Sequence, residues 1–391
     1  MSAVLVGWGH TPFGRHEGLS LEDLITRAAR EAIADAGVTA EDVDGIWLGH
    51  FGAGMVPDAF TASMVLGADP ALRYKPATRC ENACASGSAA LYAAVDAVAA
   101  GRARIALVVG AEKMTGVSGT EVTRALGSAS YQAEEAGASF PEIFARFARA
   151  WQDRYTDPSD AMAAIAVKNH AAALNNPLAQ MHRALDLEFC RRVSDKNPMI
   201  ADPIRMTDCS LVSDGAAALV VARADMSSEF RRAVKFRARA QVCDLLPLLA
   251  KDLAAFEGPR RAFAAAYVEA GVGVGDLSFA EVHDCFTIAE LLSLEAMGLA
   301  GQGGGARAVL DGLTQRDGRL PVNMSGGLKA KGHPVGATGV SMHVMAARQL
   351  VGEAGEMQLP GAELGLCFNM GGGAVANYVS ILEAVSGRAK P

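Results

Sequence analysis

Ala36-Gly37-Val38, then Asp42, then the apolar run Gly45-Ile46-Trp47-Leu48: this order returns later in the chain as Ala270-Gly271-Val272, Asp276 and Phe279-Ala280-Glu281-Val282. The offsets are the same, and a helical stretch of similar character precedes each copy. In the first copy Ser20 caps that helix, Asp23 stands three residues on as a capping-box partner, and Leu21, Leu24, Ile25, Ala28, Ala32 and Ile33 form its apolar stripe. Gly37 ends it. An apolar strand at 3–7 opens the first copy, and one at 234–240 opens the second. Helix-then-strand units repeated in this way predict two α/β halves of related fold.

Outward from the repeat, residues 105–109 contain no polar side chain, as expected of a strand covered on both faces. The pattern changes between 114 and 192, where small residues, Arg, Gln and helical stretches such as 141–154 replace the strands. This segment reads as an insertion able to cover a site. The first half resumes at 208–221, where Ser213-Asp214-Gly215 precedes an apolar run. The expected division is therefore a first half at 1–115, an inserted segment at 116–192, completion of that half at 193–228, and a second half at 229–391.

Composition agrees with this size of interior. A chain of 391 residues exceeds one ordinary core, half of it is hydrophobic and a fifth is charged. The net charge of −7 argues against a nucleic-acid binder, though a local basic pocket for a small anion is compatible with it. Seven cysteines, an odd number, are scattered without a CxxC or a Cys/His zinc spacing. They point to a reducing compartment with working thiols rather than to a disulfide framework. No run of ~18 apolar residues is present. Met1-Ser2-Ala3-Val4-Leu5 lacks a basic region before an apolar stretch, and Gly387-Arg388-Ala389-Lys390-Pro391 is not a peroxisomal ending. A soluble, cytoplasmic protein is expected.

Four places carry chemistry. Cys84 lies in Glu81-Asn82-Ala83-Cys84-Ala85-Ser86-Gly87-Ser88-Ala89-Ala90-Leu91, where a buried helix begins. Free N–H groups and the positive dipole end there are expected to favour thiolate over thiol. Small neighbours leave room for a substrate. His283, in Glu281-Val282-His283-Asp284-Cys285-Phe286-Thr287, follows the buried strand of the second half, at the carboxyl end of the sheet, where open α/β sheets place their sites. His333 lies in Asn323-Met324-Ser325-Gly326-Gly327-Leu328-Lys329-Ala330-Lys331-Gly332-His333-Pro334-Val335-Gly336-Ala337-Thr338-Gly339, too rich in glycine for a helix before about Val340. It is not a phosphate-binding GxxxxGK[ST] loop. Cys367 ends the apolar run Leu364-Gly365-Leu366 and precedes Phe368-Asn369-Met370-Gly371-Gly372-Gly373, whose glycines offer N–H groups to an oxyanion.

Together these segments resemble the thiolase family over essentially the whole chain. Cys84-Ala85-Ser86-Gly87-Ser88-Ala89-Ala90-Leu91, the glycine-rich run from Gly326 to Gly339 and the Cys before a Gly cluster are similar to its fingerprints, in its order. His283-Asp284-Cys285-Phe286 resembles the sterol-carrier-protein-2 type and archaeal-type thiolases. The resemblance implies two duplicated βαβαβαββ halves in a layered αβαβα arrangement, a dimer or tetramer, and no cofactor or metal, with CoA as substrate. It implies Cys84 as nucleophile, His333 taking its proton and, with His283, holding the thioester oxygen. Backbone N–H groups at Cys84 and near Gly371 would hold a second oxyanion, and Ser325 and Gly326 would lie near the thioester or pantetheine. A second thiol must move the α-proton. The family's Cys-x-Gly motif would make it Cys367, but Cys367-Phe368-Asn369 departs at the glycine, and Cys285 is favoured. The reaction implied is acyl transfer between CoA thioesters, by 3-ketoacyl-CoA thiolysis or the reverse condensation. The alternatives are a thiolase-like aldolase acting on a 3-hydroxyacyl-CoA with a small OB-fold zinc-ribbon partner, or a non-catalytic acyl-CoA-binding subunit.

Overall fold

The computed structural model describes residues 2–385, so Met1 and the 387–391 ending lie outside the described residues. Its strands are β1 (Ala3–His10), β2 (Gly45–Gly49), β3 (Ala77–Cys80), β4 (Ile105–Glu112), β5 (Met199–Ala201), β6 (Ile204–Arg205), β7 (Gly215–Arg223), β8 (Val234–Cys243), β9 (Phe279–Glu281), β10 (Leu364–Gly371) and β11 (Ala376–Ala384). Its helices are α1 (Leu21–Ala36), α2 (Ser86–Ala99), α3 (Gly119–Gly127), α4 (Gln132–Glu135), α5 (Phe140–Arg154), α6 (Ser159–Ala173), α7 (Leu187–Arg191), α8 (Glu257–Ala270), α9 (Thr287–Ala296), α10 (Gly305–Leu310) and α11 (Thr338–Leu350).

The predicted repeat is visible in strand order and direction. Nine strands run β3-β2-β4-β7-β1-β8-β11-β10-β9. Outward from the centre, β1 pairs antiparallel with β7, β7 antiparallel with β4, β4 parallel with β2, and β2 parallel with β3. On the other side β8 pairs antiparallel with β11, β11 antiparallel with β10, and β10 parallel with β9. A single parallel bridge from Ala280 to Val322 stands where a counterpart of β3 would run. The halves meet at Val4↔Lys235 and Leu5↔Val234.

Alternation along the strands sorts side chains into layers. Val4 and Val6 of β1 and Leu107 and Val109 of β4 pack with Leu24, Ile25 and Ala28 of α1. Leu5, Trp8, Ala106 and Val108 face inward, toward Leu91 and Val95 of α2 and the apolar side of α11. On β10, Phe368 turns outward to Phe263 of α8, ring centroids 4.9 Å apart. Cys367 turns inward, its Sγ 3.5 Å from the Met342 carbonyl of α11. The order is helix, sheet, a central pair of helices, sheet, helix. α2 and α11 approach closely because Gly87 has no side chain: a Cβ there would lie 2.8 Å from the Gly336 carbonyl oxygen and 2.9 Å from the Val340 nitrogen.

α1 starts as expected, with Ser20 and Asp23 forming a reciprocal capping box, and stops at Gly37 at φ 69°. Residues 116–192 hold α3–α7 and no strand among the described residues. α5 carries Phe144 onto Phe286, centroids 4.6 Å apart, and Trp151, whose indole N–H donates to Glu295. The glycine-rich run is more regular than the sequence suggests. Gly327–Lys331 makes a short π-helical turn, and α11 begins at Thr338.

Candidate active site

Cys84 sits in the turn between β3 and α2. Ala83, at φ 50°, takes a left-handed conformation that disfavours a residue with a Cβ by about 1–3 kcal/mol. The turn is held by Ser86, whose hydroxyl donates to Ala83 O and accepts from Asn82 N. His283 follows β9 after one residue, Val282. Behind it the carboxylate of Asp284 is wholly buried and accepts from Leu328 N, Lys329 N and the Asn169 side chain. Asn169 also donates to Glu290, as does Asn323, and Lys168 pairs with the same carboxylate at 2.9 Å. This polar frame fixes the end of β9 against the insertion and the glycine-rich loop. His333 is carried by that loop. Its own N–H donates to Ser213 Oγ, and Gly336 N–H donates to the buried carboxylate of Glu112, which also accepts from Phe51 N and Gly52 N.

These three anchors bring Cys84, His283 and His333 together, each offering an atom within 4.8 Å of the others. The two imidazoles meet edge to face, centroids 5.2 Å apart. The spacing is close enough for a metal ion. A metal there would tie up the sulfur the geometry otherwise leaves for attack, so no metal role is assigned. Cys285 joins Cys84 and His333 on the wall of one cavity of about 170 Å³, otherwise mainly apolar and including Met114, Val122, Leu126, Phe140 and Phe286. Among the described residues neither Lys nor Arg lines it.

The electrostatics correct one expectation. Burial pushes the Cys84 thiol up to about 12, although the N–H of Gly372 and its own N–H pull the other way. The helix-end effect loses to desolvation because Cys84 stands before the helix proper, in a dry site. The resting sulfur is a thiol and needs a base. Burial, helped by the Lys331 ammonium, brings His333 down to about 3, and burial with His333 beside it holds His283 well below its usual range. Both imidazoles rest neutral. Burial likewise holds Cys285 well above the ordinary thiol range, with Cys84 and Asp284 adding to it.

Other sequence-derived candidates lie farther back. Cys367 is on the inward face of β10 but bonds to Met342 O and does not line the cavity. Ser325 donates from Oγ and N to Glu281, and Gly326 packs against Ala173, so neither lines the cavity. Gly371 closes β10, and it is Gly372 that turns its N–H to Cys84.

Asn369 was not singled out from the sequence. Its Nδ2 donates to Cys84 O at 3.2 Å and lies 2.9 Å from His283 Nδ1, while its Oδ1 accepts from Ser88 Oγ at 2.8 Å. The signal was present: Asn369-Met370-Gly371 keeps the x-Gly spacing of a Cys-x-Gly motif, with an amide in place of the thiol.

Comparison with known proteins places the chain in a family. The family model described as thiolase, N-terminal domain, matches residues 3–185, and that described as thiolase C-terminal domain-like matches 247–384. An acetyl-CoA acetyltransferase of Methanothermobacter thermautotrophicus is 40% identical over 94% of this chain and 96% of its own. Sterol carrier protein 2 of Homo sapiens is 30% identical over 95% of this chain and 70% of its own. A solved structure, the Ltp2-ChsH2(DUF35) aldolase, shares the fold at a TM-score of 0.84 and 23% identity, covering 98% of each chain. With a buried cysteine between two histidines, a duplicated layered fold and family matches to both halves, the chain belongs to the thiolase family and is an acyltransferase of it.

Proposed function

We propose that the chain moves acyl groups between CoA thioesters through an acyl-Cys84 intermediate, condensing two acyl-CoA molecules or cleaving a 3-ketoacyl-CoA in reverse. The observation that carries this reading is the convergence of Cys84, His283 and His333 within 4.8 Å beside a cavity that Cys285 also lines. In the condensing direction His333 Nε2 takes the Cys84 proton as the sulfur adds to the thioester carbonyl. The carbonyl pair moves onto oxygen, which the N–H groups of Cys84 and Gly372 are placed to hold. Collapse expels CoA as thiolate, and this takes the proton of Cys285. The Cys285 thiolate, now balanced by protonated His333, removes the α-proton of a second acyl-CoA. The enolate oxygen is held by His333 and His283. The α-carbon then attacks acyl-Cys84, a carbon–carbon bond forms, and the released sulfur regains its proton from His333. Every proton returns to its origin except the α-proton, which stays on Cys285 in place of the one carried off by CoA.

The apolar lining favours a hydrocarbon acyl group, and with no Lys or Arg among the described residues that line it, the CoA phosphates would lie outside this cavity. Ser325 and Gly326 would act behind the His333 loop rather than on the thioester. The division at 115/116, 192/193 and 228/229, a cytoplasmic location and a homodimer or homotetramer belong to the same proposal. No described helix is long and apolar enough to cross a membrane. An aldolase leaves Cys84 without a task, because retro-aldol cleavage needs no acyl-cysteine.

The test is mass spectrometry of the wild type and Cys84→Ala after incubation with acetyl-CoA and acetoacetyl-CoA. An acyl adduct on Cys84, discharged by CoA and missing from the variant, is expected. Cleavage of a 3-hydroxyacyl-CoA without free CoA, and with no adduct, would instead favour the aldolase and its small OB-fold zinc-ribbon partner. CoA binding without turnover would favour a non-catalytic subunit.

A further inference from the structure

The two site histidines make different second contacts, and those contacts fix where each ring carries its proton. Cys84 O can only accept a hydrogen bond, so the Asn369 side-chain atom 3.2 Å from it is the NH2 group. The other atom of that amide is then the carbonyl oxygen, to which Ser88 Oγ donates at 2.8 Å. The NH2 group therefore also donates to His283 Nδ1 at 2.9 Å, which must present its lone pair. A neutral imidazole with a bare Nδ1 carries its hydrogen on Nε2. On the other ring, Thr338 Oγ1 lies 3.0 Å from Pro334 O, again an acceptor only, so the hydroxyl hydrogen is spent there. His333 Nδ1, 2.7 Å from the same oxygen, must donate to it. That leaves a bare lone pair on His333 Nε2, a wholly buried atom that has no hydrogen-bond partner among the described residues.

We infer that Asn369, backed by Ser88, and Thr338 are positioning residues that lock the two histidines in opposite tautomers, His283 as a fixed N–H donor and His333 as the single base. The inference rests on the acyl-transfer reading and adds a division of labour to it. His283 has no lone pair to offer Cys84 and serves only to hold an oxygen. His333 Nε2 starts as an acceptor and becomes a donor after it has taken the Cys84 proton. The oxyanion site between the rings is thus complete only once the nucleophile has been activated. Asn369 can do this because it is an amide: its one NH2 group bonds the nucleophile's own carbonyl and the donor histidine together, linking β10, the turn before α2 and the end of β9 at one atom.

The test uses the full-length protein with 15N-labelled histidine, with long-range 1H–15N correlation spectra assigned by His283→Gln and His333→Gln. In the wild type the His283 proton is expected on Nε2 and the His333 proton on Nδ1. Asn369→Asp offers His283 an acceptor instead of a donor. Its His283 proton should move to Nδ1, and kcat should fall about 100- to 1,000-fold, the effect of losing one oxyanion donor, with KM changed only a few-fold. Thr338→Val removes the acceptor for His333 Nδ1–H. It should leave the His333 tautomer mixed and slow Cys84 acylation at least about tenfold, and it serves as an independent reading if Asn369→Asp does not fold. A wild-type spectrum with both protons on the same ring position, or activity lost in both variants with tautomers unchanged, overturns the inference. Correct tautomers in a wild type that forms no acyl-Cys84 would overturn the acyl-transfer reading instead.

Discussion

At the scale of single residues, two buried thiols compete for the second proton-transfer role, and position separates them. Cys285 shares a cavity wall with Cys84 and His333, whereas Cys367 turns its sulfur to a helix carbonyl in the layer between the sheets. A group that moves a substrate proton must reach it directly or through one water. Cys285→Ala should therefore keep acylation of Cys84 by acetyl-CoA but lose carbon–carbon bond formation by about 100- to 10,000-fold. Cys367→Ala should keep both steps within a few-fold and lower stability by roughly 1 kcal/mol, as expected for one buried group removed. Parallel adduct mass spectrometry and condensation assays on the two variants decide it; the opposite pattern would return the role to Cys367. The sequence led to the right neighbourhood because cysteine and histidine announce their chemistry. It did not lead to Asn369, Ser88 or Thr338, whose residue types are common in turns and cores. Their roles exist only through contacts made across long sequence separations, such as Ser88 with Asn369.

Among elements, the decisive contact is between α2, which follows the nucleophile, and the loop leading into α11, which carries the base. Gly87 lets the Gly336 carbonyl approach where a Cβ would stand only 2.8 Å from it. Gly336 is also the residue whose N–H is held by Glu112. Gly87→Ala must therefore push the His333 loop and the Cys84 turn apart or strain both. The expected outcome is a loss of about 1–3 kcal/mol, read as a lower thermal midpoint, together with a fall in Cys84 acylation larger than the loss of folded protein explains. Equal losses in the two measurements would mean that the glycine matters for packing alone. Most elements were legible because local signals decide them: the Ser20–Asp23 capping box, Gly37, and the unbroken apolar run at 105–109. The π-helical turn at Gly327–Lys331 was not, because its glycines oppose any helix. It is held by Asp284 accepting from Leu328 N and Lys329 N, a tertiary interaction that no local pattern encodes.

On the scale of the whole molecule, a short repeat, seven residues from Ala36 to Asp42 and again from Ala270 to Asp276, was enough to expect two related halves. The strand order from β1 outward and from β8 outward shows them. The counterpart of β3, reduced to one bridge at Val322, was beyond that repeat because the matching stretch lacks a run of strand-forming residues. The layered plan has a further consequence in acid. Burying the central helices on both sides encloses four histidines, His10, His283, His333 and His343, with burial as the main cause of a lowered pKa in each. His343 falls to about 4 and His333 to about 3. Unfolding releases these rings to a pKa of about 6.5, so below that value the unfolded chain binds more protons and stability falls as pH falls. For His343 the full loss, reached near its folded pKa, is about 3 kcal/mol. Four such rings can together offset the roughly 5–15 kcal/mol that holds an ordinary domain folded. Asp284, raised to about 7 by burial beside Glu290, and Glu295, raised by burial, act in the opposite sense, since they hold their protons more tightly when folded, but they are two groups against four rings. Circular dichroism titrated from pH 7 downward should show cooperative unfolding between about pH 4 and 6. His343→Gln, on α11 and away from the cavity wall, should shift that midpoint to lower pH by removing one of the four. An unchanged midpoint would mean that His343 does not stay neutral in the folded protein, and that the acid limit is set by broken carboxylate pairs such as Lys113–Asp214 instead.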